Sequence, residues 1–199
     1  ELRGVAHEHG ALVVGAAMRH VEVADSAEVR TALPELAALA GGIGDPQVRA
    51  RGTMGGSVAN NDPAADYPAA VLACRAQIVT DRRTIEADTF FQGMFTTALG
   101  PDELITAIRF AIPKQAAYEK FAQAASGYAM TGVFVARFGD GVLFPLEIDD
   151  EHGRRQFVHG ANAIEVLDEP GQFAAQHRIA GAVRGLLLSA ARGLARHRL

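Results

Sequence analysis

Thr53-Met54-Gly55-Gly56-Ser57 sets two adjacent glycines between two hydroxyl residues, and it is the stretch of this chain best suited to chemistry. Glycine accepts backbone angles closed to other residues and lets a ligand approach the main chain. Successive N–H groups in such a turn form a concave anion site, and the flanking hydroxyls add donors. The next segment, Asn60 to Asp66, reads as a helix start, with Asp62 at the N-cap, Pro63 at the first helical position and Asp66 in the first turn. Ala70, Val71 and Ala73 carry that helix into the core. A donor-rich turn leading into a capped helix is suited to holding a phosphate diester. A Gly-Gly pair alone marks an ordinary turn, so the argument rests on the whole string.

Other candidate groups carry less. Cys74 is alone, so these residues supply no disulfide framework, no cysteine zinc site and no iron–sulfur cluster. It reads as a small hydrophobe on the buried side of a helix over residues 63–76. His7 and His9 flank Glu8, but two histidines without a third ligand read as the surface of a hairpin. Gly41-Gly42-Ile43-Gly44 follows a helix and lacks the remaining glycine of a dinucleotide fingerprint, so it reads as a helix stop. The acids within residues 147–151 read as a solvated turn. From Gly171 the tail has five arginines, two histidines and no acid. Ile179, Val183, Leu186, Leu187 and Leu194 fall at helical spacing there, which predicts an amphipathic basic helix packed on its own sheet.

The elements that must position these groups can be read from period and punctuation. A strand pair is expected over residues 1–24, with the apolar run from Ala11 to Ala16 after the His9-Gly10 turn. A helix opens at Asp25, with Glu28 at capping-box spacing, and after Pro34 a second runs from Glu35 to Ala40 and stops at Gly41-Gly42. Strands follow at Ala76–Thr80, Thr84–Ala87 and Leu104–Phe110. Phe90, Phe91, Met94 and Phe95 read as a core cluster. Tyr118–Ala122 and Gly132–Phe138 read as strands of a second, smaller sheet. At 199 residues the chain can form one domain or two small ones. Hydrophobic residues make up 49% and charged residues 21%, the balance of an ordinary globular protein. A net charge of -4 gives no global case for nucleic acid. No run reaches the roughly 20 apolar residues of a membrane span. Nor does a signal segment open the chain, so a cytoplasmic location is expected.

The string G-T-M-G-G-S-V-A-N-N-D-P-A-A-D-Y-P-A-A resembles the second FAD-binding loop of the flavoprotein (medium) subunits of molybdenum hydroxylases. That family includes aerobic-type carbon monoxide dehydrogenase and the xanthine dehydrogenases. The resemblance extends upstream through V-G-A-A at Val14 and L-A-G-G-I-G-D-P-Q-V-R at Leu39. Downstream it runs through F-F-Q-G-M-F-T-T-A-L at Phe90, E-L-I-T-A-I-R-F at Glu103 and Y-E-K-F at Tyr118, so that it covers residues 1–138. It implies an α+β fold. Residues 1–113 would form the second lobe of a PCMH-type (type 2) FAD-binding domain. Residues 114–199 would form a small sheet-plus-helices domain resembling the carbon monoxide dehydrogenase flavoprotein C-terminal domain, atypical beyond 138. The family's N-terminal lobe, with its first loop of the type A-G-G-x-S, would precede residue 1. These residues would then hold half a cofactor site and bind FAD weakly.

The resemblance also implies roles. Thr53, Met54, Gly55, Gly56 and Ser57 would meet the pyrophosphate and ribityl region, Asn60 and Asp66 would hydrogen-bond the cofactor, and Ile105 would lie near the flavin ring. Two departures stand out. Met18 and Arg19 replace common threonines, and Phe121-Ala122-Gln123 lacks the basic residue of the family's F-[RK]-Q, for which Lys120 is the nearest substitute on its strand face. No catalytic side chain and no metal ligand is expected in this chain. The implied function is electron transfer through FAD, from iron–sulfur clusters of a small partner subunit to a quinone or NAD-type acceptor. The substrate would be oxidised at the molybdenum cofactor of a large subunit, in a heterohexamer of two heterotrimers that is cytoplasmic and at most peripheral at the inner membrane. A stand-alone flavin oxidase or reductase is the weaker enzymatic alternative. The non-enzymatic one is a truncated domain that docks to partner subunits without retaining FAD.

Overall fold

Burial alternates along Ala11–Gly15, with Leu12 and Val14 fully buried, which is the period-two signature of a strand packed on one face. The computed structural model describes residues 2–139 and, beyond them, the backbone of three strands at 141–143, 145–149 and 155–159. In chain order come β1 (Val5–Glu8), β2 (Ala11–Gly15), α1 (His20–Asp25), α2 (Ala27–Ala32), α3 (Pro34–Gly41), α4 (Pro46–Arg51), α5 (Met54–Asn60) and α6 (Tyr67–Ala73). Then follow β3 (Gln77–Thr80), β4 (Thr84–Glu86), the single turn α7 (Ala87–Phe90), β5 (Phe91–Gly93), β6 (Thr96–Thr97) and β7 (Ile105–Ala111). The series ends with β8 (Gln115–Ala122), β9 (Ala129–Phe138), β10 (Gly141–Leu143), β11 (Pro145–Asp149) and β12 (Arg155–His159).

The first sheet is antiparallel in the order β1-β2-β7-β3-β4. Its register sets Leu12 opposite Phe110 and Ile78 opposite Ile108, all fully buried. Each such side chain contributes about 1.5–3 kcal/mol relative to exposure. Short helices between β2 and β3 supply the other half of the core through Leu36, Leu39, Met54 and Val71. Caps stop and start them within few residues. Ser26 Oγ accepts from Val29 N at 3.3 Å, Asp45 Oδ1 from Val48 N at 2.8 Å, and Thr53 Oγ1 from Gly56 N at 3.2 Å. Pro34, Pro46 and Pro68 occupy first-turn positions where the missing N–H is harmless.

In the second sheet β8 and β9 pair antiparallel, β10 and β11 both pair with β9, and β12 pairs with β11. Ala116, Phe134 and Ala136 join the same core as the first sheet. The β8–β9 hairpin is thereby packed against α3 and α6, and that packing brings Tyr118 and Lys120 to the start of α6.

Several expectations are corrected. The strand pair ends at Gly15, and residues 20–25 are helical; Ser26 rather than Asp25 caps α2, while Glu28 accepts from the Ser26 hydroxyl at 2.8 Å. Thr53–Ser57 is the N-cap and first turn of α5 instead of an open N–H turn. The helix expected from Asp62 begins at Tyr67. Asn61 explains the delay: it ends α5 in the left-handed region at φ 45, and Asp62 then accepts from Ala64 N at 2.8 Å in an Asx turn. Asn61 Nδ2 also donates to Gly93 O at 2.7 Å and Thr96 O at 3.0 Å, tying the β5–β6 hairpin to the end of α5. That grip turns Met94 and Phe95 outward, 51% and 57% exposed, so only Phe90 of the aromatic cluster is fully buried. Cys74 follows α6 as its buried C-cap. Residues 147–149 lie in β11 rather than in a turn, while the remaining acids and the tail helix from Gly171 fall outside the described residues. Among the described residues no helix is long and apolar enough to cross a membrane.

The two glycines of α5 differ in kind. Gly55 N donates to Ala16 O at 2.9 Å, and a Cβ there would lie 2.5 Å from Ala16 Cβ and 2.9 Å from Ala16 O. At Gly56 a Cβ would meet only Thr53 Oγ1, at 3.0 Å. Gly55→Ala is therefore expected to cost about 1–3 kcal/mol of stability as the strand–helix contact is forced apart. Gly56→Ala should lie within about 1 kcal/mol of wild type. Urea midpoints of the two variants check the contrast.

Candidate cofactor site

Helix α5 enters the site already tied to its own chain. Met54 N donates to Met18 O at 3.0 Å, Gly55 N to Ala16 O at 2.9 Å, and Gly56 N to Thr53 Oγ1 at 3.2 Å. The N–H groups expected to face an anion thus have acceptors within the protein. What this edge offers outward is the exposed Gly56 backbone and two hydroxyl protons, because Thr53 Oγ1 accepts from Gly56 and keeps its own proton to donate.

One turn further on, the same helix forms a wall of a cleft of about 180 Å³. Ser57 and Asn60 line it from α5, Asp62 and Asp66 from the loop beyond, His20 from α1, and Tyr128 from the β8–β9 turn. The lining carries two carboxylates, so it is built to accept hydrogen bonds from hydroxyls and amines.

Asp66 is the most constrained of these groups. It is 3% exposed; the Tyr118 hydroxyl donates to its Oδ1, Lys120 Nζ lies 2.9 Å from the same oxygen, and Oδ2 has no partner. Burial pushes the carboxyl above the usual range, against the opposing pull of Tyr118 and Lys120. Burial and the neighbouring carboxylate push the Tyr118 phenol up, which keeps it a donor. Across the cleft His20 is 4% exposed and stacks obliquely on Tyr67, 5.4 Å between ring centres. A Cβ on Gly52 would come within 2.5 Å of His20 Nε2, so that glycine makes room for the ring. His20 Nδ1 and the Tyr67 hydroxyl, like Asp66 Oδ2, are buried without partners.

The residues singled out in the sequence separate into two groups. Ser57, Asn60 and Asp66 share the cleft, with Thr53 and Gly56 on the adjoining edge of α5. Met54, Gly55 and Ile105 are buried, the last 4% exposed, and contribute packing. Lys120 reaches Asp66 and donates to Gly42 O at 2.7 Å, so its charge is spent inside the protein. His20, Asn61, Tyr67, Tyr118 and Tyr128 were not singled out. For His20 a signal existed, since it directly follows Met18 and Arg19, the two positions that depart from the family's threonines. For Tyr118 there was none beyond its place in Y-E-K-F.

Residues 1–115 match the family model described as the FAD binding domain in molybdopterin dehydrogenase. The chain is 39% identical over 142 residues to the carbon monoxide dehydrogenase medium chain of Hydrogenophaga pseudoflava, covering 68% of this chain and 50% of that one. It is 37% identical over 126 residues to the nicotine 6-hydroxylase medium subunit of Paenarthrobacter nicotinovorans, covering 61% and 44%. Among solved structures it is similar to carbon monoxide dehydrogenase from Hydrogenophaga pseudoflava that lacks the Mo-pyranopterin moiety of the molybdenum cofactor. The TM-score there is 0.76 with 28% identity, over 96% of this chain and 77% of that one. The chain spans about half the length of the curated relatives it matches.

Burial, and secondarily Arg49, lower His20 from 6.5 to about 4. Between those values the unfolded chain binds a proton that the folded chain refuses, so this residue's contribution to stability falls as pH drops through that window and levels below it. In His20→Gln the fall of melting temperature between pH 6.5 and about 4 should be shallower than in wild type. Scanning calorimetry across that range reads the difference in slope.

Proposed function

We propose that this chain, which belongs to the family of FAD binding domains in molybdopterin dehydrogenase, is the FAD-binding part of an oxidoreductase's medium subunit. The observation that carries the reading is the cleft in which Ser57, Asn60 and the half-satisfied Asp66 converge beside the first turn of α5. The groups present fit a dinucleotide divided by chemistry. Asp62 and Asp66 suit its hydroxyl- and amine-bearing parts and would repel phosphate. Thr53 and Gly56, on the adjoining edge, and Ser57, where that edge meets the cleft, suit the pyrophosphate. Met54, Gly55 and Ile105 would act from the core by fixing the shape of that edge, and Lys120 through Asp66. The first sheet ends at Ala111 and β8 begins at Gln115, which supports a division near residue 113.

When bound, FAD would supply the redox chemistry for electron transfer from a partner's iron–sulfur clusters to a quinone or NAD-type acceptor. The described residues of this chain would bind and orient it, and the reading requires no nucleophile or base among them. The relatives' designations as medium chains and medium subunits support an assembly with a small iron–sulfur subunit and a large molybdenum-cofactor subunit, as two heterotrimers in a heterohexamer. One observation favours the alternative of a docking domain that retains no FAD: the first N–H groups of α5 are already engaged within the chain.

The visible absorption spectrum of the purified chain, before and after FAD is added and followed through gel filtration, separates the two. Retained flavin absorbance is the expected result, and a folded, colourless chain would favour docking alone. Gly56→Asp, which brings a negative charge to the edge assigned to the pyrophosphate, should abolish retention; unchanged retention would overturn that assignment.

A further inference from the structure

We propose that Tyr118 and Lys120 are positioning residues that pin one oxygen of Asp66 and hold the other, Oδ2, as the acceptor for a hydroxyl or amine of the dinucleotide. The inference rests on the flavin reading above and adds the β8–β9 hairpin to the cofactor site.

Two donors fall on one oxygen. The Tyr118 hydroxyl donates to Asp66 Oδ1, and Lys120 Nζ lies 2.9 Å from that same atom. Tyr118 and Lys120 are two apart on β8 and so share a strand face, which lets both side chains converge on a single carboxylate. With Oδ1 held from two directions the plane of the carboxylate is fixed, and Oδ2 has a fixed heading. That oxygen is buried without a partner in a residue that lines the cleft. An unmatched buried acceptor costs about 1–3 kcal/mol, so a side chain with only a structural role would be expected to share its donors between both oxygens. A single free acceptor beside a cleft is suited to receive an O–H or N–H from a ligand.

The hairpin is held for this task at two further points. Lys120 Nζ also donates to Gly42 O at 2.7 Å. At the hairpin turn Gly127, with φ +71, runs so close to Gly44 that a Cβ would lie 3.1 Å from Gly44 O. Tyr128 beside it lines the cleft. Hairpin and 62–66 loop are thus joined through Asp66, and a ligand on Oδ2 must stabilise the seated hairpin by as much as the hairpin strengthens the ligand.

The test uses the full chain and FAD. Tyr118→Phe removes one hydroxyl without changing volume and should weaken FAD binding roughly tenfold, the worth of a hydrogen bond to a charged group. Lys120→Met should weaken it further, with Lys120→Arg recovering part of the loss. In an Asp66→Asn background Tyr118→Phe should have no additional effect, which a general loss of packing would not reproduce. FAD should also slow hydrogen exchange over residues 115–122 in wild type and do so less in Tyr118→Phe. If Lys120→Met fails to fold, the Tyr118 and Asp66 cycle carries the result alone. Equal FAD affinity in wild type and Tyr118→Phe overturns the positioning role and leaves the flavin reading standing. A wild-type chain that binds no FAD overturns the flavin reading and the role of Oδ2 with it.

Discussion

A carboxylate taken out of water must be paired or protonated, and the placement of the second sheet follows from how Asp66 meets that demand. Its counter-charge, Lys120, comes from a strand far along the chain, and the Tyr118 hydroxyl arrives with it. Replacing a buried ion pair by apolar residues is often neutral or stabilising, so the pair is poor evidence of a stability device. What it fixes is geometry: β8 cannot shift along α6 without stranding a charge. The apolar contacts of Ala116, Phe134 and Ala136 would tolerate small slips; the ion pair would not.

A second constraint acts at the other end of the same loop. Asn61 adopts the left-handed conformation, and its carboxamide reaches two carbonyls of the β5–β6 hairpin while its own carbonyl accepts from Phe95 N at 3.1 Å. The segment from Asn61 to Asp66 is therefore anchored at both ends to distant elements, and the cleft between them is shaped by those anchors rather than by helix propensity. This is also why a segment with good helix-start residues is a loop.

The distinction between local and distant causes decides what could be read from the sequence. Strands β2, β3 and β7 were legible because alternation and apolar runs are local signals, and Gly41-Gly42 ended α3 as such pairs do. The string around Gly55-Gly56 was specific enough to identify the family. Less legible was the partition of its residues. Nothing local says that Gly55 packs on Ala16 while Gly56 faces outward, since the distinction depends on where β2 passes. Lys120 read as a substitute for a missing cofactor cation because its partner is 54 positions earlier in the chain and invisible to any pattern. His20 became significant only when Gly52 and Tyr67 closed around it.

In the proposed flavin site the contribution of the described residues is orientation, and orientation requires that few of their groups have a choice of partner. The first N–H groups of α5 are committed to carbonyls and the Thr53 hydroxyl, the Asn61 amide is committed to the hairpin, and Lys120 to Asp66 and Gly42. Among the described residues, what remains uncommitted around this site is sparse: the hydroxyl protons of Thr53 and Ser57, the Asn60 amide, one oxygen of Asp66, and the buried His20 Nδ1 and Tyr67 hydroxyl. Thr53 and the Gly56 backbone face outward on one edge, while the carboxylates of Asp62 and Asp66 lie in the cleft beside it with Ser57 and Asn60. A ligand that satisfies both must carry anionic oxygens at one point and hydroxyl or amine protons a short distance away, as a dinucleotide does. A plain phosphate would meet only the first set, and a neutral polyol only the second.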